Sequence, residues 1–261
     1  MPIIPNAALA RLRAGKVSIG FGAHHLRTVA TPALAKAAGY DWLFIDMEHG
    51  AFSIQEATQL CIAALPVGIA PLVRVCTDAL DEGTRVLDNG AQGVVIPHID
   101  TPELARRIAS AFRYPPQGHR SWGGPVVSHG FRPPAHDIAQ AEINREVLVI
   151  GMIETAQAVA NVEEIAAVPG VDCLLMGTSD LTADMGIAGQ IGHSRTVAAY
   201  EALIAACKKH GKVAGVGGVY DDEWAARYLR MGARLILGGT DQQFLFSGAV
   251  ARYAYLDGIA V

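Results

Sequence analysis

Short apolar runs alternate with segments of helical periodicity along this chain, and most of the runs stop at a glycine or a charged residue. The runs are rich in Val, Ile and Leu and do not alternate with polar positions, which predicts parallel strands buried on both faces. The first strand is predicted over 17–22 (VSIGFG). A helix follows from Thr31-Pro32, with a capping hydroxyl and a proline at the first helical position, and Gly39 ends it. The second strand, 42–45, lies in GYDWLFIDMEHGAF at 39–52, the stretch around which the chain is organised. Its apolar residues break into Asp46, Glu48 and His49. Ser53, with Glu56 three residues on, predicts a capping box for a helix through Leu65.

The alternation then repeats. Strand 70–75 (APLVRV) carries Arg74 and leads into a helix over 77–88 that stops at Asn89-Gly90. Strand 93–97 (GVVIP) is followed by a helix opened by Thr101-Pro102. At 113–146 the pattern is interrupted by PPQGHRSWGGP and FRPPAHD, too rich in proline and glycine for a regular element. Its aromatic and basic residues predict an ordered lid rather than a linker, with a short helix in DIAQAEINRE. Regularity resumes with strand 147–153, ending in Glu154, and a helix to about Val168. Strand 173–176 ends in GTSD, which supplies Asp180, and a helix spans 196–209. Strand 212–216 and a helix over 221–231 come next, then strand 235–237 and an apolar helix over 242–255. Eight strand–helix units predict an α/β fold of the (β/α)8 barrel type, one domain over 1–261.

Composition narrows the class. The chain has 261 residues, 51% hydrophobic and 18% charged, enough for one sizeable core. A formal charge of −4 provides no basic field for nucleic acid, and no apolar run approaches the ~20 residues of a membrane span. The amino-terminal residues lack the ordered regions of a signal peptide. Cys61, Cys76, Cys173 and Cys207 form no CxxC pair and read as small hydrophobes in a reducing compartment. A soluble cytoplasmic protein is expected, with no nucleic-acid or membrane partner.

In parallel α/β proteins the chemistry sits past the carboxyl ends of the strands. Those ends present Asp46, Glu48 and His49 after the second strand, Arg74 on the third, Glu154 after the fifth and Asp180 after the sixth. Two carboxylates on successive strands suit one hard divalent cation, Mg²⁺ or Mn²⁺, that keeps water and substrate oxygens as its other ligands. Helix capping, or pairing with Arg74, accounts for the same two acids, and spacing alone does not separate these readings. Glycine pairs at 217–218 and 238–239 stand where barrels often bind phosphate, but no Lys or Arg lies just past either pair before Arg227. The lysines, Lys16, Lys36, Lys208, Lys209 and Lys212, all fall away from strand carboxyl ends, so a Schiff-base mechanism has no lysine in the mouth.

Together GYDWLFIDMEHG, PLVRV, LDNGAQGVVIPHIDTPELA, RYPPQGHRS, the glutamate of GMIET, and LLMGTSDL resemble the HpcH/HpaI aldolase family. These are metal-dependent class II pyruvate or hydroxypyruvate aldolases, 2,4-dihydroxyhept-2-ene-1,7-dioate aldolase-like and related to the citrate lyase β-subunit barrels. The resemblance runs from Gly39 to Leu181 and implies a barrel of the phosphoenolpyruvate/pyruvate type. It further implies a hexamer in which the last helix is exchanged between protomers. The cofactor implied is a divalent cation, Mg²⁺ or Mn²⁺, with Co²⁺ a further candidate. Glu154 and Asp180 look like its carboxylate ligands. His49 looks like the catalytic base, supported by Asp46 and by Asp88 of LDNG. Arg74 is similar to the arginine that stabilises the enolate and the developing alkoxide. Ser179 falls where backbone contacts hold the substrate carboxylate.

Two positions depart from the family pattern. Met152 stands where a substrate-contacting glutamine is frequent, and Arg120-Ser121-Trp122-Gly123-Gly124 replaces an RGVG loop. Both bear on substrate choice; Trp122 and Phe131 are candidates to wall the aldehyde side, with core packing an equal reading for Phe131. The implied reaction is reversible aldol addition of a 2-oxo acid to an aldehyde through an enolate, which a cation and Arg74 stabilise electrostatically. A CoA-ester lyase of the citrate or malyl type would need a basic groove, and none is visible. A non-catalytic oxo-acid binder is disfavoured by the joint presence of His49, Arg74 and both acids. The last helix carries Phe244, Leu245, Phe246, Val250, Tyr253 and Tyr255 on more than one face, which predicts a subunit interface.

Overall fold

The computed structural model describes residues 2–124 and 126–259. The ends of the 1–261 span, and position 125 within the 113–146 loop, lie outside the described residues. The strands are β1 (Ser18–Ala23), β2 (Trp42–Asp46), β3 (Ala70–Arg74), β4 (Gly93–Ile96), β5 (Leu148–Ile153), β6 (Cys173–Gly177), β7 (Val213–Gly217) and β8 (Leu235–Thr240). They close into a barrel in sequence order, every neighbour parallel. The helices are α1 (Ala7–Arg13), α2 (Thr31–Ala37), α3 (Ile54–Val67), α4 (Leu80–Asp88), α5 (Pro102–Phe112), α6 (His136–Glu146), α7 (Ala156–Ala160), α8 (Val162–Ala166), α9 (Thr178–Asp184), α10 (Ser194–Lys209), α11 (Asp222–Met231) and α12 (Asp241–Asp257).

The continuous apolar runs have a direct explanation in β2. Trp42 and Phe44 point into the barrel, where they pack with Leu72, Val95, Ile150 and Leu175. Leu43 and Ile45 point outward into the layer between strands and helices. Each such side chain contributes roughly 1.5–3 kcal/mol when buried, so neither face of the strand tolerates polar residues. The Trp42 indole fills the barrel interior against Gly20, where any Cβ would collide with it. Helix α1, not anticipated from the pattern, packs Ala8 into the same interior cluster, with Leu9 and Leu12 against it.

Local signals held where the capping group was free to act. Ser53 and Glu56 form the expected capping box on α3, and Thr101 accepts from Leu104 N at 3.2 Å. Thr31 does not cap α2. Its hydroxyl donates to Leu26 O at 2.9 Å and closes the β1–α2 loop instead. Helix α4 starts at Leu80 rather than at 77, and the helix expected to run to Val168 is broken at Asn161 into α7 and α8. Strand β8 continues through Gly238-Gly239, since the missing Cβ at Gly239 makes room for the Phe244 ring.

The described residues of the 113–146 segment are ordered, but they do not form a lid. It joins the end of α5 to the start of β5, so it lies at the amino ends of the strands, opposite the mouth. Arg113 is buried there, donating to Asn144 O and Val147 O and pairing with Asp172. Ile4 N donates to Ser128 O at 2.9 Å, tying the amino terminus across the same face. The short helix expected in DIAQAEINRE is present as α6. Trp122 packs against the rings of Tyr114 and His136, and Phe131 is 64% exposed, so neither walls the mouth of its own chain.

Helix α12 stands away from the barrel it follows. Phe244 rests on Phe21 and Tyr40, but Leu245, Phe246, Tyr253 and Tyr255 are each at least 65% exposed. Ile19 on the outer face of β1 is exposed as well.

Candidate functional site

A cavity of about 290 Å³ opens at the carboxyl ends of the strands. Around its wall, β1 contributes His24, β2 Phe44 and His49, β3 Arg74, and β5 Met152 and Glu154. The turn after β6 contributes Ser179 and Asp180, the β7 turn Tyr220, and β8 Leu237. Of the residues anticipated from sequence, His49, Arg74, Met152, Glu154, Ser179 and Asp180 therefore share one cavity. No lysine lines it.

Asp46 lies just beneath, fully buried at the end of β2. The β2–β3 register sets it opposite Arg74, and the pair is bidentate: Arg74 Nε donates to Oδ1 at 2.8 Å and Nη2 to Oδ2 at 2.6 Å. The remaining capacity of Oδ1 takes the backbone amides of Glu48 and His49, at 3.1 and 3.2 Å, which shapes the IDMEHG turn. Asp46 thus holds His49 by its backbone and not by its ring. Burial alone would raise the Asp46 pKa, but hydrogen bonding and charge from Arg74 outweigh it and hold the carboxyl below its ordinary range. Arg74 Nη1 also reaches Glu48 at 3.1 Å, and the guanidinium lies over the Phe44 ring. The His49 side chain is 64% exposed, and its nearest charged partner is Glu48 at 3.8 Å.

Glu154 is almost wholly buried at the end of β5. Its Oε2 accepts from His98 N at 2.7 Å, and His98 holds a left-handed backbone (φ 53°) to present that amide. Gly177 leaves room for the carboxylate over the end of β6, since a Cβ there would strike it. Burial raises the Glu154 pKa and the nearby Asp180 carboxylate adds to the rise, against opposing contributions from His98 and Arg74. Two acids pressed together in this way fit a cation, which reverses that cost. Among the described residues no three His, Cys, Asp or Glu side chains converge on one point. Two carboxylates are the protein donor set of a hard ion that keeps water and substrate oxygens, so the residues present fit Mg²⁺ or Mn²⁺.

Asp88 does not join this group. It ends α4, just before β4, and its Oδ1 accepts from Arg120 Nη2 at 2.6 Å at the base of the barrel. Trp122 lies on the same remote segment. His24 is the residue the motifs missed. A signal existed, because His24-His25 directly follows the first apolar run. Its ring lines the cavity with Nδ1 3.3 Å from Asp46 Oδ2. Burial lowers its pKa, against the pull of Asp46 and Asp241.

Comparison with known proteins gives a consistent result. Residues 28–247 match the profile of the HpcH/HpaI aldolase/citrate lyase family. The chain is 42% identical over 234 residues, 86% of each chain, to a 4-hydroxy-4-methyl-2-oxoglutarate aldolase of Hapsidospora irregularis. It is 35% identical over 244 residues, 92% of each chain, to a 5-keto-4-deoxy-D-glucarate aldolase of Shigella boydii. The crystal structure of an HpcH/HpaI aldolase from Desulfitobacterium hafniense superposes with a TM-score of 0.89, at 29% identity and 97% coverage of both chains.

Proposed function

The chain belongs to the HpcH/HpaI aldolase/citrate lyase family, and from that premise we propose reversible aldol addition and cleavage between a 2-oxo acid, pyruvate or hydroxypyruvate, and a carbonyl acceptor. The observation that carries this reading is the convergence of Glu154, Asp180, Arg74 and His49 in one cavity that no lysine lines. Without an amine to form a Schiff base, the enolate needs electrostatic stabilisation. Glu154 and Asp180 would hold a divalent cation, Mg²⁺ or Mn²⁺ with Co²⁺ a further candidate, which supplies Lewis-acid polarisation of the 2-oxo group when bound.

The chain's own groups then divide the work. Arg74, fixed by Asp46 and Glu48, sets a permanent positive charge beside the position where oxyanion charge develops. His49 takes the proton from C3 of the 2-oxo acid, directly or through water, as an imidazole at the cavity edge can. Ser179, in the first turn of α9, lies where a backbone amide meets the substrate carboxylate. Met152 puts an apolar surface where the family frequently has an amide, which favours a less polar substrate edge. Asp88 serves His49 only if it belongs to another copy, because the two stand at opposite ends of one barrel. A homo-oligomer, a hexamer with exchanged α12 helices, accommodates both that role and the exposed apolar faces of α12. The free thiols suit a cytoplasmic setting.

A CoA-ester lyase is less well supported, because among the described residues Arg74 is the one guanidinium on the cavity wall and it is committed to Asp46 and Glu48. Turnover of a pyruvate aldol separates the readings. EDTA abolishes cleavage, Mg²⁺ or Mn²⁺ restores it, and borohydride with pyruvate labels no lysine. A borohydride-trapped lysine adduct overturns the class II assignment, and absence of turnover at saturating metal points to a binding protein.

A further inference from the structure

Aldol cleavage moves two protons, one at C3 of the 2-oxo acid and one on the C4 oxygen, and the mouth holds two imidazoles. His49 stands at the solvent edge on the β2 turn. His24 is set deeper, at the end of β1, which lies across the barrel from β5 and its Glu154. A 2-oxo acid held by its carboxylate and keto group on the β5–β6 side would extend its remaining carbons toward β1.

Three observations set His24 apart from a packing residue. Its backbone is clamped: the consecutive amides of His24, His25 and Leu26 all donate to Asp241 Oδ2, at 3.0, 2.8 and 2.7 Å. Its ring is turned toward Asp46, with Nδ1 3.3 Å from Oδ2, and a neutral ring protonated on Nδ1 would leave Nε2 free to accept a proton. Its Nε2 is buried with no hydrogen-bond partner among the described residues, although the residue lines the cavity. An orphaned buried nitrogen is costly, and a bound hydroxyl would offset that cost. A base held in place by a carboxylate through its other nitrogen is the recurring arrangement for proton transfer.

We propose that His24 is a second catalytic residue, the base for the C4 hydroxyl of the aldol, while His49 serves C3. The inference rests on the aldolase reading above. In cleavage the C4 O–H bond breaks and its proton passes to His24 Nε2. The C4 carbonyl forms as the C3–C4 bond breaks, and that electron pair stays with the 2-oxo acid as its enolate. His49 returns a proton to C3, and addition runs the same steps in reverse. The neighbours Leu237 and Tyr220 then flank the acceptor rather than the 2-oxo acid.

The test separates the two protons. Deuterium exchange into the pyruvate methyl group involves only C3, whereas cleavage of 4-hydroxy-4-methyl-2-oxoglutarate also requires proton transfer at the C4 oxygen. In His24→Phe, cleavage falls by on the order of 10² or more, the range for losing a general base, and at least ten times further than methyl exchange. In His49→Ala the exchange reaction itself is lost. His24→Asn, which retains a polar side chain, repeats the measurement if the Phe variant does not fold. Equal losses of cleavage and exchange overturn the proposal, since His24 would then act through Asp46 and Arg74. Wild-type rates for both in a folded variant overturn it as well. A wild-type protein that does neither reaction at saturating Mg²⁺ removes the aldolase reading and this inference together.

Discussion

One carboxylate, Asp46, joins three parts of the mouth: the Arg74 guanidinium, the His24 ring and the turn that carries His49. Its depressed pKa gives the pair a defined pH signature. The stabilisation is fully present above the unfolded carboxylate value of about 3.9 and is lost as pH falls through the lower folded value. Removing Arg74 reverses the balance, because burial then dominates and pushes Asp46 up. Arg74→Ala should therefore destabilise the protein at pH 7.5 by about 3–5 kcal/mol, as expected for an uncompensated buried charge. At pH 4.5 Asp46 takes up a proton and the deficit shrinks. Denaturation at the two pH values checks this, and a deficit independent of pH would show that packing, not charge, holds the pair.

Among the elements, α12 departs furthest from what its own barrel requires. An eighth helix ordinarily covers the outer face of the last strand and the first, yet here Ile19 is left exposed and α12 carries bare Leu, Phe and Tyr side chains. Contiguous exposed apolar surface of that kind marks an interaction site. Only the root of the helix is committed locally, through Asp241 to the loop of residues 24–26 and through Phe244 to Phe21. If α12 packs between copies of the chain, deleting it from Gln242 onward should cost both self-association and solubility, read by size-exclusion chromatography with light scattering. A soluble, monomeric and fully active truncation would instead make α12 peripheral.

At the scale of the whole molecule, the two ends of the barrel are chemically distinct. The mouth gathers acids, imidazoles and one fixed guanidinium. The base carries the Arg113–Asp172 and Arg120–Asp88 pairs and the ordered 113–146 segment. If Asp88 assists His49 across a subunit boundary, the defects are separable. His49→Ala and Asp88→Ala proteins, each impaired alone, should regain activity when unfolded together and reassembled, because mixed oligomers contain native site pairs. Absence of complementation, with Asp88→Ala merely less stable, would assign Asp88 to the base alone.

The sequence by itself determined the barrel and most of its mouth, because both follow from local rules. Unbroken apolar runs require strands covered on both faces, and parallel connections bring every carboxyl end to one face. Glu154, Asp180, Arg74 and His49 thus met in one cavity from their positions at strand ends. The same rule, applied to Asp88 and Trp122, sends them to the opposite face, since both precede a strand instead of following one. What only the tertiary structure decided were the partnerships. Register set Asp46 against Arg74; a competing acceptor at Leu26 diverted the Thr31 hydroxyl from its helix. Burial left the His24 nitrogen without a partner beside the substrate space. The first and last depend on groups distant in sequence and on which surfaces lose water, and none of the three follows from residue spacing alone.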